Sequence, residues 1–218
     1  ISRRDEFRTR RRIAMGVGSD TVSSSTDWFV EGLAPAAIEG TIDVTRTAID
    51  GARKSMTAAA TANSDAGIVG GYAMFELGTN PDVTFKFKVI STLLRRVWIG
   101  FFESDPMGAD STAAIHSFGL RLSTAPAVTG FTIVHSDGTT EVVEAQIQAS
   151  DANIHTIRLI ADNANSRFGY SFDGAAIVWI TTNIPAATAD LGIQCQIRTL
   201  EGVTKVLELW WVEGTVDT

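Results

Sequence analysis

A lone cysteine, Cys195, rules out an internal disulfide in this chain of 218 residues. It falls on the apolar parity of its segment, which makes it a small core hydrophobe and not a nucleophile. No apolar run approaches the roughly 18 residues of a membrane span; Val97 to Phe102 is about the longest. No membrane partner is therefore expected. The basic start runs into Gly16, Gly18 and Ser19 instead of an apolar stretch, so the pattern of a secretory signal is missing. Basic residues are few, 18 Lys and Arg against 25 Asp and Glu. The net charge of −7 excludes a general nucleic-acid binder. No internal repeat is visible, which argues against a propeller or solenoid. Gly16-Val-Gly18 is too short for a dinucleotide fingerprint and follows no strand, while Gly70-Gly71 fits a bulge or turn. No cofactor is expected.

What the chain does have is a rhythm of two. Leu191, Ile193, Cys195 and Ile197 alternate with Gly192, Gln194, Gln196 and Arg198. Val83, Phe85, Phe87 and Val89 alternate with Thr84, Lys86 and Lys88. A helix repeats its apolar stripe every three to four residues, whereas a half-buried antiparallel strand repeats it every two. The same reading gives strands over 83–90, 96–103, 117–123, 130–135, 140–148, 154–161, 166–172, 175–181, 191–199 and 203–213. Turn signals separate them, among them Ser136-Asp137-Gly138, Asp173-Gly174 and Ile184-Pro185. Such spacing predicts an all-β, two-sheet antiparallel sandwich. Its core should hold Phe85, Phe87, Leu120, Leu159, Phe172, Ile193, Cys195, Ile197, Leu207 and Leu209. In the closing strand, Leu207, Leu209 and Trp211 should face inward, and Trp210 the other way.

The first residues differ. Arg3, Arg4, Arg8, Arg10, Arg11 and Arg12 face only Asp5 and Glu6, so the rest of the chain is more acidic than the net charge suggests. Residues 1–26 read as a basic N-terminal arm, extended and ordered only against a partner, with residues 27–218 as the sandwich. Arg suits either carboxylate or phosphate through bidentate contacts. The segment reads either as a solvated tail or as an anchoring arm, whose expected partner is an acidic protein surface ahead of nucleic acid.

Several segments between residues 83 and 213 carry a resemblance. They are Arg96-Val-Trp98-Ile-Gly100-Phe-Phe102, Phe118-Gly-Leu120-Arg-Leu122, Phe131 to Gly138, His155-Thr-Ile157-Arg-Leu159, Phe168 to Gly174, Ile177-Val-Trp179 and Lys205 to Val212. Together they resemble the concanavalin A-like jelly roll of tailed-phage virion structural proteins. The resemblance implies a jelly roll and, as a family that includes glycosidases, raises the question of catalytic carboxylates.

Glycoside hydrolysis needs two carboxyls about 5–9.5 Å apart. Glu208 and Glu213 are five residues apart and Glu141 and Glu144 three apart, so each pair should face opposite sides of its strand. Glu103, Asp105 and Asp110 flank one loop, and Asp162, Asn163 and Asn165 another; turn formation explains both more simply than a metal. His116-Ser117 and His135-Ser136-Asp137 place hydrolase residue types side by side, but adjacency in sequence is no triad. Ser136-Asp137-Gly138 reads as a hairpin turn, and His155 as a hydrogen-bonding edge residue. No catalytic residue and no metal ligand is assigned.

These readings lead to a non-enzymatic virion structural protein of a tailed phage: a capsid-attached decoration, minor capsid or fibre-type subunit. It would reside in the virion, assembled in the host cytoplasm, beside other virion proteins as a homo-oligomer in a symmetric array. The alternative is a lectin-like carbohydrate-binding module for host-surface glycans, with Trp28, Trp98, Trp179 and Trp210 as stacking candidates. A glycoside hydrolase stands third.

Overall fold

In a computed structural model the chain is described over residues 10–15, 28–30, 38–39, 41–47, 51–69, 75–90, 94–107, 111–123 and 130–217. The alternation read from the sequence sets the architecture. β8 (Asp82–Val89) buries Val83, Phe85, Phe87 and Val89 and leaves Thr84, Lys86 and Lys88 half-exposed. It lies in the middle of a first sheet, ordered β16 (Val178–Ile180), β15 (Arg167–Phe172), β14 (His155–Asp162), β8, β18 (Lys205–Asp217), β1 (Arg10–Met15) and β2 (Trp28–Val30). β5 (Gly51–Ala58) also pairs with β18 and carries β4 (Thr41–Thr47) on its far edge.

The second sheet is ordered β12 (Glu141–Val143), β11 (Gly130–Asp137), β10 (His116–Ser123), β9 (Arg95–Phe102), β17 (Asp190–Thr199), β6 (Asp65–Val69) and β3 (Ile38–Glu39). β13 (Gln148–Ala149) pairs with β11, and β7 (Phe75–Glu76) with β17. The pairings described are antiparallel, and among the described residues helix is limited to two short 3₁₀ turns.

The two sheets share one apolar core, and all ten residues expected there lie in it. Rings interlock across it: Phe118 meets Phe168 at 4.6 Å, and Phe131 meets Phe172 at 5.6 Å. Burying a side chain of this size contributes roughly 1.5–3 kcal/mol, so the sandwich is held by its inner faces.

Several elements differ from the sequence reading. The first is β18. Leu209 stands opposite Phe87, but Trp211 stands opposite Lys86, so Trp210 is an extra residue in the ladder. Such a bulge reverses parity for everything beyond it. Leu207, Leu209, Val212 and Val216 therefore join the core, while Trp211 is half-buried on the outer face and Trp210 is buried. The expected inward position of Trp211 is corrected accordingly.

The second concerns the basic arm. Residues 10–15 form β1, which pairs from Arg10 opposite Asp217 to Met15 opposite Val212. β18 is long enough to take β5 along Lys205–Leu209 and β1 beyond it on the same edge. Leaving those backbone groups unpaired would forgo a row of hydrogen bonds. This part of the arm is a sheet strand; residues 1–9 and 16–26 lie outside the described residues.

The third is the β4–β5 hairpin, which the sparse apolar pattern of 41–58 did not reveal. Elsewhere the expected strand 140–148 is interrupted, giving β12 and β13, and 175–181 shortens to β16.

Candidate functional site

Trp98 is fully buried on the outer face of the second sheet, packed with Phe102, Met107 and Val134 under the segment that follows β9. Arg121 lies over its ring at 5.6 Å. Arg96 donates to the Met107 carbonyl at 2.8 Å and Gln194 to the Ser104 carbonyl at 3.2 Å, so the covering segment is tied down. Trp210 is also buried. Neither offers a face to a sugar, which corrects both as stacking candidates. Trp179 is half-exposed, but the Arg167 guanidinium sits 4.0 Å from its ring centre. Trp28 is placed in β2 by its backbone pairing. Arg10, Arg11 and Arg12 lie in β1, whereas Arg3, Arg4 and Arg8 lie outside the described residues.

The carboxylates are engaged. Glu141 approaches Arg121 at 3.6 Å and accepts from Thr112 Oγ1 at 2.9 Å, whereas Glu144 meets His135 Nε2 at 3.0 Å. Those partners are on opposite faces of the second sheet, as the spacing predicted. The other pair needs correction: the bulge at Trp210 puts Glu208 and Glu213 on the same face, opposite Lys88 and Thr84. Four residues along β8 still separate them by ~13 Å, beyond the reach of a glycosidase pair.

Glu103 accepts from the His116 amide at 2.8 Å, and Asp105 from the Met107 amide at 2.8 Å. Asp162 accepts from Asn165 and Arg167, each at 2.8 Å. Asp110 lies outside the described residues. Asp137 accepts from Thr139 and Thr140 in a hairpin turn completed by Gly138 at φ +86°. Those bonds, led by the Thr139 hydroxyl, hold its carboxyl below the usual range.

His155 is not an edge residue but is buried, with rings of Phe87, Phe131 and Phe172 around it. Its Nδ1 is 2.7 Å from Asp173 Oδ2 and its Nε2 is 2.8 Å from Asp151 Oδ1. Burying an imidazole among phenyl rings requires partners for both nitrogens, and these two carboxylates supply them.

Asp173 and the 148–151 segment that His155 ties together border a groove. Along one wall, the Glu144 and Ile147 amides donate to Ile133 and Phe131 carbonyls at 2.9 and 2.8 Å, leaving Ala145 and Gln146 to stand off the ladder. Gly130 permits this: a Cβ there would come within 2.4 Å of Gln146 Cδ. Along the other wall, Asp173 and Gly174 turn at φ +48° and +76°, as a tight hairpin needs. Residues 175–177 then run without ladder pairing before β16. Two sheet edges thus diverge around a groove of about 610 Å³, with Tyr170 and Phe172 between them and Gln146, Gln148 and Asp173 at its sides. Burial, and then the nearby Glu144 carboxylate, push the Tyr170 phenol above its ordinary value, so it stays a neutral hydroxyl. A smaller groove of about 280 Å³ lies by Leu77, Phe168 and Pro185, where Arg167 is held by Asp162.

Sequence reasoning missed the larger groove. Its walls are the places where two expected strands break off, and the only signal is the pair of glutamines two residues apart beside small residues.

No protein-family model and no curated protein matches the chain. Solved structures do match in fold. A protein of unknown function from Shewanella oneidensis aligns over 96% of this chain and 87% of its own, with a TM-score of 0.65 and 13% identity. Peanut lectin aligns over 95% and 97%, with a TM-score of 0.58 and 13% identity. A carbohydrate esterase from the Shiga toxin-encoding bacteriophage phi24B aligns over 83% and 88%, with a TM-score of 0.52 and 16% identity. At these identities the likeness establishes architecture, and the chain is a β-sandwich of the concanavalin A-like, legume-lectin-like jelly-roll fold.

Proposed function

We propose that this chain is a non-enzymatic, lectin-type recognition domain that binds a glycan in the groove between 145–148 and 172–178. The observation that carries the reading is the groove's chemistry. The half-buried Tyr170, a ring bearing a neutral phenol, lies between amide and carboxylate groups, the mixture a sugar needs for stacking and for hydroxyl hydrogen bonds. The bordering carboxylates act as ties: Asp173 serves Thr156 and His155, and Glu144 serves His135. The fold likeness to lectins agrees with this reading.

A glycan array probed with the purified chain tests it, followed by titration of the bound oligosaccharide against Gln146→Ala and Tyr170→Phe. Losing one hydrogen bond of about 1.4 kcal/mol corresponds to a tenfold weaker Kd. Weakening of that order with an unchanged melting temperature supports the groove. An array with no binding overturns the reading. For the non-enzymatic part, Glu144→Gln and Glu208→Gln are compared with the parent on β-glucan, galactan and peptidoglycan; turnover abolished by either change would overturn it.

A second reading is a structural subunit of a tailed-phage virion. Six arginines in the first twelve residues, against an otherwise acidic chain, favour attachment to an acidic neighbour. The likeness to a bacteriophage protein is one of fold alone. Because residues 10–15 belong to the sheet, the test is deletion of residues 1–9 and binding to parent particles across a salt series. Equal binding with and without that segment, unchanged by salt, removes this reading.

A further inference from the structure

We propose that the groove selects neutral sugar chains and rejects those bearing carboxylate or sulfate groups. This rests on the reading of the groove as a glycan site and names the class of glycan.

The argument is one of charge. Among the described residues no Lys or Arg lines the groove. Three carboxylates lie in or beside it: Asp173 lines it, Asp151 is bonded to the lining residue Gln148 at 3.0 Å, and Glu144 precedes the lining residue Ala145 and acts on Tyr170. Two imidazoles face them, His155 between Asp151 and Asp173, and His135 against Glu144. Three ionised carboxylates outnumber two imidazoles in any protonation state of the rings, so the local charge stays negative. Both rings are buried, and neither can turn toward a ligand without losing its partners. Arg95, which bonds Ser150, is fully buried and does not line the groove.

An anionic sugar entering here would meet negative charge with no guanidinium to receive it. Recognition of carboxylate or sulfate depends on such a fork. Two like charges in contact repel, and more strongly at the effective dielectric of a protein surface than in water. Neutral hydroxyls find the opposite. They donate to the exposed carboxylate of Asp173, accept from the Gln146 amide, and meet the neutral Tyr170 phenol at any ordinary pH. Gly174 has no atom within 4 Å of where a Cβ would stand, so that side is open.

The test uses matched oligosaccharide pairs of one backbone, a neutral member and its uronate, sialylated or sulfated counterpart, titrated against the intact chain. The expected result is binding of the neutral member at least about tenfold tighter, with the ratio shrinking in high salt as the repulsion is screened. Glu144→Gln should raise affinity for the acidic member and leave the neutral one unchanged. An acidic member that binds as tightly as its neutral partner overturns the proposal and leaves the glycan reading standing. Failure of both members of every pair to bind removes both.

Discussion

Cys195 illustrates what a period-two pattern can settle for a single residue. It lies at zero exposure between Gln194 and Gln196, and burial pushes its thiol far above the ordinary value. A thiolate is the reactive form, so the folded chain should not react with a thiol reagent until it is unfolded; rapid labelling in native buffer would contradict this. Leu209 and Phe172 were placed in the core by the same parity. Truncating either to Ala should cost on the order of 2–5 kcal/mol, read from urea denaturation midpoints. His155 shows the limit of that reasoning. Its position at a strand start suggested an edge, yet the rings of Phe87, Phe131 and Phe172 enclose it. Nothing in the local sequence announces Asp151 and Asp173 as partners, because one is four residues away and the other eighteen.

Between strands, the information shifts from side chains to backbone. Gly100 and Gly119 face one another in the β9–β10 ladder. A Cβ on Gly119 would stand 2.7 Å from the Ile99 carbonyl oxygen and 2.9 Å from Phe102 Cζ, and one on Gly100 would stand 2.5 Å from the Gly119 Cα. Gly119→Ala should therefore destabilise the fold by about 1–3 kcal/mol through overpacking, more than Gly174→Ala, whose site is open but whose φ of +76° strains alanine. The strands after residue 80 were legible because each carries several apolar residues at spacing two. The β4–β5 hairpin was not, since Thr41–Thr47 and Gly51–Ala58 hold few apolar residues, β5 gaining its order from pairing with β18 and β4 from pairing with β5. The groove was illegible for a related reason: Ala145, Gln146, Ala175 and Ala176 carry no motif, and it is the breaking of two ladders that brings them together.

At the scale of the whole molecule, surface carboxylates tie loops to strands and give stability a pH dependence. Hydrogen bonds, from Thr139 first for Asp137 and from Asn165 first for Asp162, hold both carboxyls below their ordinary value. A depressed folded-state pKa contributes stability that is complete above the unfolded value, about 4, and lost as pH falls through the lower folded value. The denaturation midpoint should be flat from pH 7 to about 5 and decline below about 4; a rise on acidification would reverse the sign of this argument. Both groups are half-exposed and screened by solvent, so the decline from these two alone should be shallow.

The surplus residue in β18 also bears on how the chain tolerates length changes. A one-residue deletion inside a central strand ordinarily turns every later side chain to the wrong face. Removing Trp210 would do the reverse. Leu209 would still stand opposite Phe87 and Trp211 opposite Lys86, so Val212 and Val216 would keep their places in the core. The same cut at Lys86 of β8 has no surplus to absorb it and would set Phe85 and Phe87 on opposing faces. The closing strand therefore holds a spare position, where its reading frame can slip by one without the sandwich losing its register.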